Sequence, residues 1–91
     1  MTSTETRVRN IADVVLGVRG VAELHGGRFG SLGTYLAGER ITGVRIDDDG
    51  TVEVHVSLNI DAPIRKTAEN IRAAVAQLEH GPINITIEDL T

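Results

Sequence analysis

The chain has no cysteine and no tryptophan, and among its 91 residues it has one phenylalanine, one tyrosine and two prolines. The lack of cysteine excludes disulfides, thiolate metal sites, iron–sulfur ligation and cysteine nucleophiles together. No apolar run approaches the ~18–20 residues that span a bilayer, and no signal-peptide core precedes the first helical pattern. Excess positive charge is missing too, with nine Lys and Arg against thirteen Asp and Glu for a net charge of −4. Residues 1–40 hold five Arg and four acids, whereas residues 41–91 hold four basic and nine acidic side chains. A nucleic-acid binder displaces phosphate counterions with cations, so this balance argues against one. What the chain does have is aliphatic mass, 26 Ile, Leu and Val residues. That is enough for one modest core, and residues 1–91 are expected to form a single soluble domain without a deep cavity between lobes.

Periodicity then orders the chain. Thr2 and Glu5 have the spacing of a capping box, and Val8, Ile11, Ala12 and Val15 follow at helical intervals. Gly17, able to adopt a left-handed conformation, is the expected stop. Val21 to Leu24 is a short candidate strand. Residues 26–38 hold five of the ten glycines and lie around the two aromatics, Phe29 and Tyr35, so a loop is expected there. Val44 and Ile46 alternate with Arg45 ahead of Asp47-Asp48-Asp49-Gly50, a strong hairpin signal. Val52, Val54, Val56, Leu58 and Ile60 then alternate with Glu53, His55, Ser57 and Asn59, as in a strand with one buried face. A second helix, capped by Asp61 or Ala62, carries the stripe Ile64, Ala68, Ile71, Val75 and Leu78 up to Gly81-Pro82. Ile83, Ile85 and Ile87 form a last strand.

A strand–helix–strand connection brings its strands parallel, while the hairpin is antiparallel. The expected fold is therefore α+β, a two-layer sandwich with two helices on one face of a small mixed sheet of three or four strands. The other sheet face is polar and uncovered.

Few residues nominate chemistry. His55 and Ser57 point the same way but stand roughly 6.5–7 Å apart along a strand, beyond hydrogen-bond reach. Ser31 lies in Gly30-Ser31-Leu32-Gly33 and lacks the nucleophile elbow. His25, His55 and His80 have no metal-ligand spacing, and His80 is better placed to meet the carbonyls that end the second helix. The Asp47–Asp49 run fails as a calcium loop, because the register puts Arg45 at its first ligand position and Val56 at its twelfth. No metal or cofactor is expected. Gly27-Arg28-Phe29-Gly30 has the form of the backbone-clamping loop of KH domains, which makes an RNA-binding module the alternative reading. Phe29 and Tyr35 either fold back onto the aliphatic core or are presented, with Arg28 and Arg40, to a partner. Burial is the commoner fate of lone aromatics.

Val18-Arg19-Gly20-Val21, Gly43-Val44-Arg45-Ile46, the Val52–Ile60 strand, the amphipathic helix and Ile83-Asn84-Ile85-Thr86-Ile87 follow one order over residues 8–90. In that order the chain resembles the alkaline shock protein family of bacterial envelope stress response proteins. The segment from Leu24-His25-Gly26-Gly27 through Gly38-Glu39-Arg40 is similar to the form in actinobacterial members. Arg19 replaces the Pro of the usual Val-Pro-Gly-Val. The resemblance implies a non-enzymatic cytoplasmic protein that associates with itself and, through a membrane-anchored protein partner, with the inner face of the cell membrane. The family has no catalytic residues to transfer. The candidate contact residues are Arg28, Phe29, Tyr35 and Arg40 in the glycine-rich segment, and Arg45, Glu53, His55, Ser57 and Thr86 on the polar sheet face.

Overall fold

The computed structural model describes residues 3–27, 32–36 and 38–91. Helix α1 (Thr4–Leu16) begins at Ser3, whose side chain accepts the Thr6 N–H at 3.1 Å. The cap is thus Ser3, while Thr2 lies outside the described residues. Val8, Ile11, Ala12 and Val15 are all buried, as their spacing requires. Gly17 caps the end in right-handed geometry, with φ −81°. The left-handed residue is Gly20 instead (φ +98°), at the turn into β1 (Val21–Leu24).

The stretch expected to be a loop contains a hairpin, β2 (Gly33–Leu36) with β3 (Glu39–Thr42). Its strands are short, and tertiary contacts anchor them. Thr34 Oγ1 donates to the Val44 carbonyl at 2.7 Å, Ile41 packs on the core, and Glu39 pairs with Arg9 of α1. Strand β4 (Val44–Ile46) turns through residues 47–51 into β5 (Val52–Leu58). Of the turn's central residues only Gly50 has positive φ. The Thr51 N–H donates to Asp49 Oδ1 and holds that carboxyl below its ordinary range. Strand β5 ends at Leu58, two residues earlier than the alternation suggests, and Ile60 is 69% exposed. Pro63 precedes α2 (Ile64–Ala76), which buries Thr67, Ile71 and Val75. Ile64 and Leu78 are exposed, because the ends of the predicted stripe run past the layer they were expected to cover. His80 is exposed beyond the helix.

The strands joined through α2 run parallel, as expected. Strand β6 (Ile83–Leu90) runs parallel to β5, while β4 and β1 are antiparallel to it. Helix α1 packs on α2, β1 and β4, and α2 packs on β6. The result is the expected helical layer on a mixed sheet. One feature of the sheet has no counterpart in the periodicity of the sequence. Strands β4 and β1 lie end to end along the same edge of β5, one opposite Val52–Val54 and the other opposite Val56–Leu58. They meet at His55, whose N–H donates to the Gly43 carbonyl at 2.9 Å and whose carbonyl accepts the His25 N–H at 2.8 Å. The core comprises Val8, Ile11, Val15, Val44, Ile71, Val75 and the inward side chains of β5.

Candidate functional site

Register sets the polar face in rows. Arg45, Glu53 and Asn84 stand side by side across β4, β5 and β6, and His55 stands beside Thr86 in the next row. The sheet therefore brings together four of the five face residues expected there. Arg45 bonds Asp47 through Nε at 2.7 Å and remains exposed. Glu53 accepts from Asn84 Nδ2 at 3.0 Å. His55 Nδ1 lies 2.6 Å from Glu88 Oε1, and both side chains are about four-fifths buried. Glu88 is not among the residues expected on this face, although the alternation Asn84, Thr86, Glu88 points it there.

The face is not open along its whole length. A methyl group on Gly27 would lie 3.8 Å from His55 Nδ1 and 3.9 Å from Glu88 Oε1, so the chain leaving β1 passes over this pair. His25 Nδ1 accepts the Gly27 N–H at 3.0 Å and fixes that exit. Glycine permits it, because a backbone without side chains can lie close to the sheet.

Ser57 is the exception among the face residues. It is fully buried, and among the described residues its hydroxyl has no hydrogen-bond partner. It sits in the central strand between Glu23 and Asp89, and both neighbouring strands shift register beside it. Such irregularities tighten the local twist, and a side chain this short stays below the level of the longer groups around it. The His55–Glu88 contact alone resembles the base and carboxylate of a hydrolytic triad, but it is not one, because the Ser57 hydroxyl is buried and makes no bond to the imidazole. An unsatisfied buried hydroxyl costs about 1–3 kcal/mol. Ser57→Ala is accordingly expected to raise stability by about 1 kcal/mol, or roughly 4–8 °C in melting temperature for a domain this small. Thermal denaturation followed by circular dichroism checks this, and a lowered midpoint would show that the hydroxyl contributes a bond.

The second group of residues lies on the β2–β3 hairpin, which flanks β4. Tyr35 and Arg40 are directly opposite one another, and the guanidinium carbon of Arg40 lies 5.4 Å from the ring centroid. Tyr35 is 79% exposed. The commoner fate, burial against the core, does not hold for it, because a four-residue strand beside β4 directs the ring away from the helical layer. Arg28 and Phe29 lie outside the described residues, as do Gly30 and Ser31. Gly27 itself stands between two strands, whereas a KH loop joins two helices. No group of three His, Asp or Glu side chains among the described residues is placed to hold a metal.

Comparison with models of known protein families, with curated proteins and with solved structures finds no match to this chain.

Proposed function

We propose that the chain is a non-enzymatic binding and scaffolding protein of the alkaline shock type, which associates with itself and with a membrane-anchored partner. The observation that carries this reading is Tyr35, a large aromatic 79% exposed on a hairpin and braced by the arginine opposite. Leaving an aromatic ring in water forgoes the apolar burial it could supply to the core, whereas Tyr and Arg together form the commonest energetic centres of protein interfaces. The row Arg45, Glu53 and Asn84 adds a polar surface of both charges. No helix of the described residues is long and apolar enough to cross a membrane. In this reading the anchor belongs to the partner, at the inner face of the cell membrane.

Sedimentation velocity on the purified chain, with capture of proteins from solubilised membranes, tests the proposal. Tyr35→Ala is expected to weaken association about tenfold or more, as loss of an interface centre does, without lowering the melting temperature. A chain that is monomeric at every concentration and retains no membrane protein would overturn it. Unchanged association in Tyr35→Ala would remove the hairpin as the contact surface.

A further inference from the structure

A separate feature lies at the opposite end of the helical layer, where the α1–β1 turn faces the start of α2. An open cleft of about 720 Å³ is lined there by Arg19, Gly20, Asp61, Lys66, Thr67 and Asn70, among others. Helices ordinarily begin with a Ser, Thr, Asp or Asn cap and acidic residues in the first turn, which satisfy free N–H groups and offset the positive end of the helix dipole. Helix α2 does the reverse. Its cap is Pro63, it has no side-chain cap bond, and its first turn carries no acid but Arg65 and Lys66. The first intrahelical bond runs from the Thr67 N–H to the Pro63 carbonyl, so the amides of Ile64, Arg65 and Lys66 precede it.

Thr67 supplies an independent observation. It is only 2% exposed and lines the cleft, yet nothing among the described residues hydrogen-bonds to its hydroxyl. That hydroxyl is not sealed in protein as the Ser57 hydroxyl is. A Cβ on Gly20, whose φ is +98°, would sit 3.2 Å from Thr67 Oγ1 and 3.0 Å from Ala62 Cβ, so the glycine keeps this floor open. The exposed cations Arg19 and Lys66 stand at the sides of the cleft and take part in no ion pair among the described residues. In a chain of net charge −4, two cations without an ion pair among the described residues, the free Lys66 amide and the Thr67 hydroxyl meet at one place.

We propose that this cleft binds a phosphate-bearing anion, held by the Thr67 hydroxyl, the Arg19 and Lys66 side chains and the Lys66 amide at the start of α2. Donors of this kind at a helix start match the acceptor oxygens of a phosphate. The cleft exceeds the size of a bare phosphate and admits an ester. The phosphate belongs either to a small soluble ester or to an anionic lipid headgroup, and Ile60, 69% exposed on the rim, offers an apolar contact to the second. Asp61 is the one acidic side chain that lines the cleft among the described residues, and it opposes binding. The site does not depend on the hairpin interface.

Nitrogen-15 NMR titration of the full chain with inorganic phosphate, against sodium chloride at matched ionic strength, tests the site. Saturable shifts confined to Gly20 and residues 64–67 are expected. Thr67→Val and Lys66→Gln should each weaken binding about three- to tenfold, the effect of one hydrogen bond. Asp61→Asn should tighten it about two- to fivefold, as removal of one exposed like charge does. Lys66 and Asp61 are surface residues, so these variants test the site even if Thr67→Val fails to fold. Flotation with phosphatidylglycerol vesicles but not phosphatidylcholine vesicles, lost in Lys66→Gln, would assign the phosphate to lipid. Phosphate binding without flotation would assign it to a soluble ester. Non-saturable shifts no larger than those from chloride, together with no flotation, would overturn the proposal.

Discussion

Gly43→Ala is expected to cost the fold about 3–5 kcal/mol, a large share of the ~5–15 kcal/mol that holds a domain of this kind together. Gly43 lies where β4 begins and β1 has just ended, on the same edge of β5. Its φ is +81°, and a Cβ there would fall 2.8 Å from the His55 carbonyl oxygen and 2.9 and 3.0 Å from the His25 backbone nitrogen and oxygen. All three are main-chain atoms engaged in or beside the junction bonds, so none can move without opening the ladder. The Gly43 N–H is also committed, to the Leu32 carbonyl at 2.9 Å. Gly38 provides the control. Its φ is +79°, but a Cβ there would meet nothing within 4 Å. Gly38→Ala therefore carries only the left-handed backbone cost, about 1–2 kcal/mol. Urea denaturation of both variants separates the steric contribution from the conformational one. Equal losses would mean that the junction is not packed as described.

Arg7→Ala is expected to be the second most damaging change, at about 2–3 kcal/mol. Arg7 Nη2 lies 2.5 Å from Glu79 Oε1, and its Nε donates to Glu79 Oε2 at 3.2 Å, a two-pronged bond between α1 and the segment after α2. The bond to Glu79, reinforced by its charge, raises the arginine pKa above its ordinary value. The Glu79 side chain is 7% exposed and that of Arg7 is 35% exposed. Removing the arginine strands a buried carboxylate, which costs about 3–5 kcal/mol in a fully buried pair and less here, where water reaches the arginine. The isosteric Glu79→Gln added to Arg7→Ala should recover much of the loss, because a neutral amide needs no counter-charge. A double-mutant cycle by denaturant titration measures this coupling. Strictly additive losses would reduce the pair to an ordinary surface contact.

The sequence made some parts of this structure legible and left others unreadable, for physical reasons. Helix α1, strands β5 and β6 and the Asp47–Gly50 turn follow from local periodicity, since one buried face imposes a 3.6- or 2-residue spacing on the apolar side chains. The parallel pairing of β5 and β6 followed from connection rules alone. The β2–β3 hairpin was hidden because its four-residue strands show little alternation and are held by Val44, Arg9 and the core rather than by their own pattern. The end-to-end arrangement of β1 and β4 depends on pairing between residues far apart in sequence. Its one local trace is Gly43, a glycine at the head of a strand. The polar face was legible in the alternation of Glu53, His55, Asn84 and Thr86. The burial of Ser57 was not, because it arises from register shifts in two neighbouring strands. The cleft at α2 was not legible, because Asp61 or Ala62 was the expected cap whereas the cap is Pro63, with no side-chain bond.

Protein binding through the Tyr35–Arg40 hairpin is tested most directly by placing a photo-crosslinking side chain at position 35 in living cells. A discrete crosslinked product is expected, either with a second copy of the chain or with a membrane-anchored protein. It should be absent when the same group replaces Arg72, which is exposed on α2. No product at position 35, or the same products from both positions, would contradict the proposed interface.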